Sequence, residues 1–377
     1  MALAIAMGIG RFAFTPILPM MLDDAGLSVA QGGWLASANY VGYLLGGVSA
    51  VALRMGPARV IRMGLAAVGI ATLAMGVADG LLPWLAWRAV AGVASAWVLV
   101  FASSWCLEQF ATHAPESRRA LLSAVLFAGV GVGIMFTGAA CVALLVAHVS
   151  SRVAWAALGV VSLVGTAALW NRFGDASAAA PIPAQAAAHR DGAWLPMIAC
   201  YGAFGFGYII PATFLSAMAR EIFADPAVYG WSWPVFGLAA ALSTFAAAAL
   251  RRRLSDHALW VAGHFAMAAG VLVPLATKGL GGIIASALLV GGTFMVVTMV
   301  GMQEARRVAG PRARELIAAM TSSFAAGQIA GPLLVSYLAV RGDGYSVALI
   351  AAGAALIASA IALLFVPSNP PRAATRP

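Results

Sequence analysis

The chain has 377 residues, 62% of them hydrophobic and 9% charged, and its mean hydropathy is +0.93. Soluble domains carry about 25% charged residues, so this composition excludes a water-soluble fold and sets the apolar excess against lipid. The net charge of +9 does not indicate nucleic-acid binding, because the basic residues sit in short segments between apolar runs, where the positive-inside bias puts them.

A spanning helix needs about 20 apolar residues. Such runs are predicted over 1–22, 32–53, 60–79, 81–106, 119–147, 152–172, 194–217, 230–250, 258–277, 280–301, 315–340 and 344–366. They are continuously apolar rather than alternating, so they predict twelve helices and no barrel. Span 1 begins inside hydrophobic sequence and lacks the basic n-region of a signal peptide; a short basic segment ahead of Met1 is expected. Residues 173–193 are rich in Ala and Pro and include Asp175, His189, Arg190 and Asp191. They read as a cytoplasmic linker between an N-terminal six-helix bundle (1–172) and a C-terminal one (194–377) that ends in a short tail. With the N-terminus inside, only Arg152, Arg220, Lys278 and Arg341 fall on the outer side, against sixteen arginines on the inner. Both termini are therefore expected in the cytoplasm. The single lysine and abundant alanine suggest a GC-rich bacterial genome, and so the bacterial inner membrane.

The two bundles repeat. Gly8-Ile9-Gly10 matches Gly205-Phe206-Gly207, Gly33-Trp34 matches Gly230-Trp231, and Ala52-Leu53-Arg54 matches Ala249-Leu250-Arg251, each at an offset of 197 residues. Both units start on the same side, so the repeat is parallel, as in the major facilitator superfamily. The run from Gly8 to Pro19 (GIGRFAFTPILP) and the run from Arg88 to Trp97 (RAVAGVASAW) resemble spans 1 and 4 of the YbfB/YjiJ branch of that superfamily. The resemblance implies an all-α membrane protein of two pseudo-repeats, a transporter that is not an enzyme, and a central cavity lined by spans 1, 4, 7 and 10. The loop after span 2 (Leu53 to Arg59) lacks the acid of the superfamily's usual pattern, so Arg54, Arg59 and Glu108 are the candidates for an inner gate. Gly327 to Pro332 resembles a glycine-rich antiporter motif displaced to span 11, and its glycines read as helix-packing residues.

Two arginines lie within spans, Arg11 ~16 Å from the outer end of span 1 at ~1.5 Å per residue, and Arg88 nearer the outer face in span 4. A mid-bilayer charge costs about 2.5–3.5 kcal/mol on insertion scales, and no Asp or Glu lies deep in any predicted span. Arginine's planar fork suits a carboxylate or phosphate, so an organic anion is the expected substrate. The competing reading has each arginine bonding carbonyls freed near Pro16 or Gly92. The remaining substrate-binding candidates are Thr15, Asn39, Tyr43, Tyr201, Tyr208 and Gln328. Tyr208 stands 197 residues after Arg11 and is expected to face it. His264 is the candidate for proton coupling; a counter-substrate serves equally.

Asp256-His257 reads as a loop pair without partners, and Cys106, Cys141 and Cys200 have no metal-ligand spacing. No catalytic residue, cofactor, metal or nucleic-acid partner is expected, and a monomer is. The alternatives to an anion transporter are an exporter of amphipathic drugs using Trp97, Trp105, Phe204 and Phe206, and a non-transporting scaffold.

Overall fold

The computed structural model describes residues 1–50, 52–173, 194–223, 225–251, 253–277, 279–342 and 344–366. Residues 174–193 of the expected linker, the tail from 367, and Arg252 and Lys278 lie outside the described residues.

In lipid every backbone N–H and C=O must be satisfied within its own segment, and the apolar runs accordingly form helices. They are α1 (Ala4–Asp24), α2 (Val29–Ala50), α3 (Pro57–Val77), α4 (Leu81–His113), α5 (Glu116–Val146), α6 (Ser151–Leu169), α7 (Trp194–Ile222), α8 (Ser232–Leu250), α9 (Asp256–Ala276), α10 (Leu280–Ala309), α11 (Ala313–Val340) and α12 (Tyr345–Leu364). Eleven of these are long and apolar enough to cross a membrane. The other, α2, is diluted by Gln31, Asn39 and its glycines. Exposed Leu45, Val48, Ile70, Val164, Leu195 and Ile350 form part of the lipid-facing surface.

Several ends are set by local chemistry. The Asp24 carboxylate accepts from the Ser151 backbone N–H (2.5 Å) and hydroxyl (2.7 Å), which ties the end of α1 to the positive N-terminus of α6. Ser255 caps α9 by accepting from the Ala258 N–H at 3.1 Å. Helix α4 runs to His113, beyond the end at 106 expected from hydropathy, and α10 runs to Ala309, beyond 301. At about 1.5 Å per residue α4 is ~50 Å long, well over the ~30 Å hydrocarbon core. The polar turns past the apolar runs continue as helix outside the lipid, where hydropathy gives no signal.

The twelve helices divide into two six-helix units. These meet where α1 packs on α7, α2 on α11 and α5 on α8. Association inside lipid rests on close packing, and glycine permits it at the α5–α8 crossing. A Cβ on Gly131 would lie 2.3 Å from the Ala241 nitrogen, and one on Gly237 would lie 2.2 Å from the Met135 nitrogen. Helices α1 and α7 are the most buried of the eleven and form the centre of the bundle.

The 197-residue offset is realised in contacts. The Thr15 hydroxyl donates to the Ala212 carbonyl at 2.6 Å, and Arg220 pairs bidentately with Asp23. Both pairs join positions 197 apart. Equivalent positions meet only beside the axis that relates the two units, so that axis runs between α1 and α7.

Candidate functional site

The prolines at 16 and 19 predict a bend in the first helix, and the structure shows a full break. Residues Ala4–Ile9 form a π-helix, residues 10–13 a turn, and Phe14–Asp24 an α-helix. Proline explains the break. Pro16 offers no N–H and crowds the carbonyl four residues back. The Thr15 N–H bonds Phe12 O at 3.3 Å instead of Arg11 O, and the Phe12 N–H reaches back five residues to Met7 O at 3.0 Å. The turn is left with backbone carbonyls lacking helical partners.

Arg88 takes up those carbonyls. Its Nη2 donates to Arg11 O at 3.2 Å and its Nη1 to Gly10 O at 3.4 Å. Its guanidinium lies 4.9 Å from the Phe14 ring centroid and 6.0 Å from that of Trp155. The Arg88 carbonyl in turn accepts from Asn39 Nδ2 at 2.9 Å. Arg88 and Asn39 therefore sit behind the turn of α1 and hold it.

Arg11 points elsewhere. It is 2% exposed, and its guanidinium is enclosed by the rings of Tyr43 (4.0 Å), Tyr40 (5.1 Å) and Phe12 (5.3 Å). Such cation–π contacts stabilise a desolvated cation. Its Nε and Nη2 are buried and have no hydrogen-bond partner among the described residues. These two atoms form one edge of the guanidinium, the edge from which two parallel N–H bonds grip a carboxylate. Three other arginines use that same edge here: Arg220 on Asp23, Arg251 on Asp256 and Arg307 on Glu304.

Tyr208, the repeat counterpart of Arg11, comes from α7 and lies within electrostatic reach of it. Its ring stacks between Phe294 of α10 (5.7 Å, 3° between planes) and Phe324 of α11 (5.6 Å, 8°). Gln328 Nε2 donates to the Tyr208 hydroxyl, while Gln328 Oε1 is buried without a partner among the described residues. Tyr201 packs two turns away against Phe204, Phe324 and Trp260. The structure thus gathers Arg11, Tyr43, Tyr208 and Gln328, with Tyr201 at the margin and Thr15 on the α1–α7 contact.

Other candidates lie apart. His264 is fully buried behind Phe204, with Nδ1 on the carbonyl of Trp260 (2.9 Å) in its own helix. Glu108 is exposed and makes no ion pair with Arg54 or Arg59. Trp97 donates to Ser49 Oγ at 3.0 Å, and Trp105 packs edge-on to Phe173.

Two expectations are corrected. Asp256 and His257 lie in the first turn of α9, not a loop, and both have partners: Asp256 pairs with Arg251 at 2.6 Å, and His257 Nδ1 lies 3.6 Å from Glu304 Oε1. Glu304 itself, placed past the end of span 10 by hydropathy, is 1% exposed within α10 and bonds Arg307 at 2.5 Å. The aromatic partners Phe12, Phe294 and Phe324 gave no separate signal in the sequence, because a phenylalanine in an apolar span cannot be told from lipid-facing filler.

Twelve helices in two six-helix units that meet along α1–α7, α2–α11 and α5–α8 have the architecture of the major facilitator fold. The chain belongs to the family described as "Uncharacterised MFS-type transporter YbfB", whose pattern matches residues 3–364. It is thus a multi-pass membrane protein of a secondary-transporter family and not an enzyme. Two solved structures are similar in fold. One is a bacterial homolog of the human lysosomal transporter Spinster in an inward-facing and occupied conformation (TM-score 0.68, 14% identity, covering 97% of this chain and 93% of that one). The other is a D-xylose–proton symporter (TM-score 0.71, 11% identity, covering 97% and 96%). Among curated proteins no significant match is found.

Proposed function

We propose that this protein carries a small organic anion across the bacterial inner membrane by alternating access, with both termini in the cytoplasm, and that Arg11 grips the anion's carboxylate. The observation behind this reading is the Nε/Nη2 edge of Arg11: buried, without a hydrogen-bond partner among the described residues, and the same edge that three other arginines here turn to carboxylates. A desolvated cation of this kind is costly until an anion meets it. Arg88, with its fork committed to backbone, orients Arg11. The units rock about the α1–α7 axis to expose the site to each side in turn.

The test is thermal stabilisation of the purified protein by carboxylates, sulfonates and cationic amphiphiles, repeated on Arg11→Gln, with counterflow in proteoliposomes. Carboxylates should stabilise and exchange on the wild type and fail on the variant. Stabilisation by cations alone, or anion exchange that survives Arg11→Gln, overturns the reading.

A further inference from the structure

We infer that a cavity at the end of the bundle bearing Asp23 is a lipid site, taking a headgroup that carries both a phosphate and a primary ammonium, as phosphatidylethanolamine does. The inference is independent of the reading of Arg11.

The cavity has a volume of about 360 Å³ and lies where the two units meet. Val29 and Ala30 of α2 line it from the first unit. Glu221 at the end of α7, Val335 and Ala339 of α11 and Tyr345 at the start of α12 line it from the second. The Ser336 hydroxyl donates to the Ala30 carbonyl at 2.8 Å beside it, so the cavity sits over a contact that joins the units.

Its polar groups are of two kinds. Glu221 calls for a cation. Among the described residues no hydrogen bond or ion pair holds its carboxylate, and the neighbouring Arg220 is committed to Asp23. The other groups call for an anion. Helices α2 and α12 both begin at the cavity, and helix N-termini present a partial positive charge and N–H groups without helical partners. Ser28 and Gln31 satisfy each other's N–H groups (2.9 and 3.2 Å), which leaves those of Val29 and Ala30 open. Tyr345, 7% exposed, has its ring 5.6 Å from that of Phe214 and lies within electrostatic reach of Glu221. Its hydroxyl is buried without a hydrogen-bond partner among the described residues, and a buried donor left unmet favours a ligand that accepts from it. Arg341, between the lining residues Val340 and Gly342, lies 4.5 Å from the Tyr337 ring centroid and has no ion pair among the described residues.

The walls point to a lipid. Val335, Ala339 and Val340 are apolar, and exposed Leu333, Tyr337 and Val340 fall on one face of α11, a path for an acyl chain that ends at the cavity. Tyrosine and arginine at the end of a span are anchors at headgroup depth. Glu221 then selects among headgroups. A glycerol headgroup brings it no cation, and a quaternary ammonium has no N–H to donate, whereas a primary ammonium has three.

The experiment titrates the detergent-purified full chain with short-chain phosphatidylethanolamine, phosphatidylcholine and phosphatidylglycerol, and with glycerophosphoethanolamine, which lacks acyl chains. Thermal shift and native mass spectrometry read the binding. Phosphatidylethanolamine should bind about tenfold more tightly than either other lipid, and glycerophosphoethanolamine far more weakly. Glu221→Gln should bring phosphatidylethanolamine down to the level of phosphatidylcholine, while Arg341→Gln should weaken both alike. The wild-type series decides the matter even where a variant fails to fold. Equal binding of the three lipids, or a preference that survives Glu221→Gln, overturns the inference. Glycerophosphoethanolamine binding as tightly as the lipid would mark a site for soluble amines and overturns it too.

Discussion

Arg11 and Arg88 have the same chemistry and similar burial, yet opposite effects on stability are expected when each is removed. Arg88 satisfies the Gly10 and Arg11 carbonyls, so Arg88→Ala leaves two buried acceptors unmet. The cost should be about 1–3 kcal/mol for each, seen as a clear drop in melting temperature of the detergent-purified protein. Arg11 carries two donors with no partner, so Arg11→Gln removes a desolvation penalty. The ligand-free melting temperature should hold or rise while carboxylate binding disappears. An equal drop in both variants would show that Arg11 is structural. Both arginines were legible in the sequence as charges in apolar runs. Their division of labour was not, because it depends on which carbonyls Pro16 frees and on rings supplied by α2.

Among the elements, α1 carries the device that makes the site. Its apolar run announced a helix, and its prolines announced a bend. The π-helix before the turn was not legible, since a shift from four-residue to five-residue hydrogen bonding leaves no mark on hydropathy. Pro16→Ala should allow the Thr15 N–H to return to Arg11 O and draw the carbonyl away from Arg88. Carboxylate affinity should then fall while expression and melting temperature stay near wild type; unchanged affinity would mean that the break does not orient Arg11. At the other end of the bundle, the underestimated length of α10 hid Glu304. Its carboxylate is held by Arg307 of its own last turn and lies 3.6 Å from His257 Nδ1 at the start of α9. Glu304→Gln should destabilise the fold by about 1–3 kcal/mol, measured by thermal melt with the carboxylate affinity unaffected.

For the molecule as a whole, the contacts between units are unevenly placed. From mid-helix to the end bearing Asp23 they include Thr15–Ala212, Tyr40–Thr213, Ser37–Ile329, Ala30–Ser336 and Asp23–Arg220. Toward the opposite end Thr244 bonds the Ala124 carbonyl. The Asp23 end is thus the latched one. Asp23→Asn should loosen it, so that a cysteine introduced by Thr213→Cys, with the three native cysteines replaced, reacts faster with an impermeant thiol reagent. Swapping the pair (Asp23→Arg with Arg220→Asp) should restore protection. Reactivity unchanged in Asp23→Asn would show that the pair does not hold the halves together. The twelve spans and the repeat were legible because lipid imposes a strong, local pattern. The uneven latch was not, because it is a property of one arrangement of the two units and not of any segment.

The contacts at an offset of 197 residues also constrain how such a chain can have arisen. Were the six-helix unit a separate polypeptide forming a symmetric dimer, each position beside the axis would face its own copy. An aspartate at position 23 would then oppose a second aspartate, and an arginine at position 11 would oppose a second arginine across the same gap. Both encounters are repulsive. Joining the two copies in one gene lets the paired positions diverge, so that one copy keeps the acid and the other gains Arg220, and one keeps the arginine while the other gains Tyr208. A single chain can therefore set an acid against a base on its own symmetry axis, which two identical subunits cannot do.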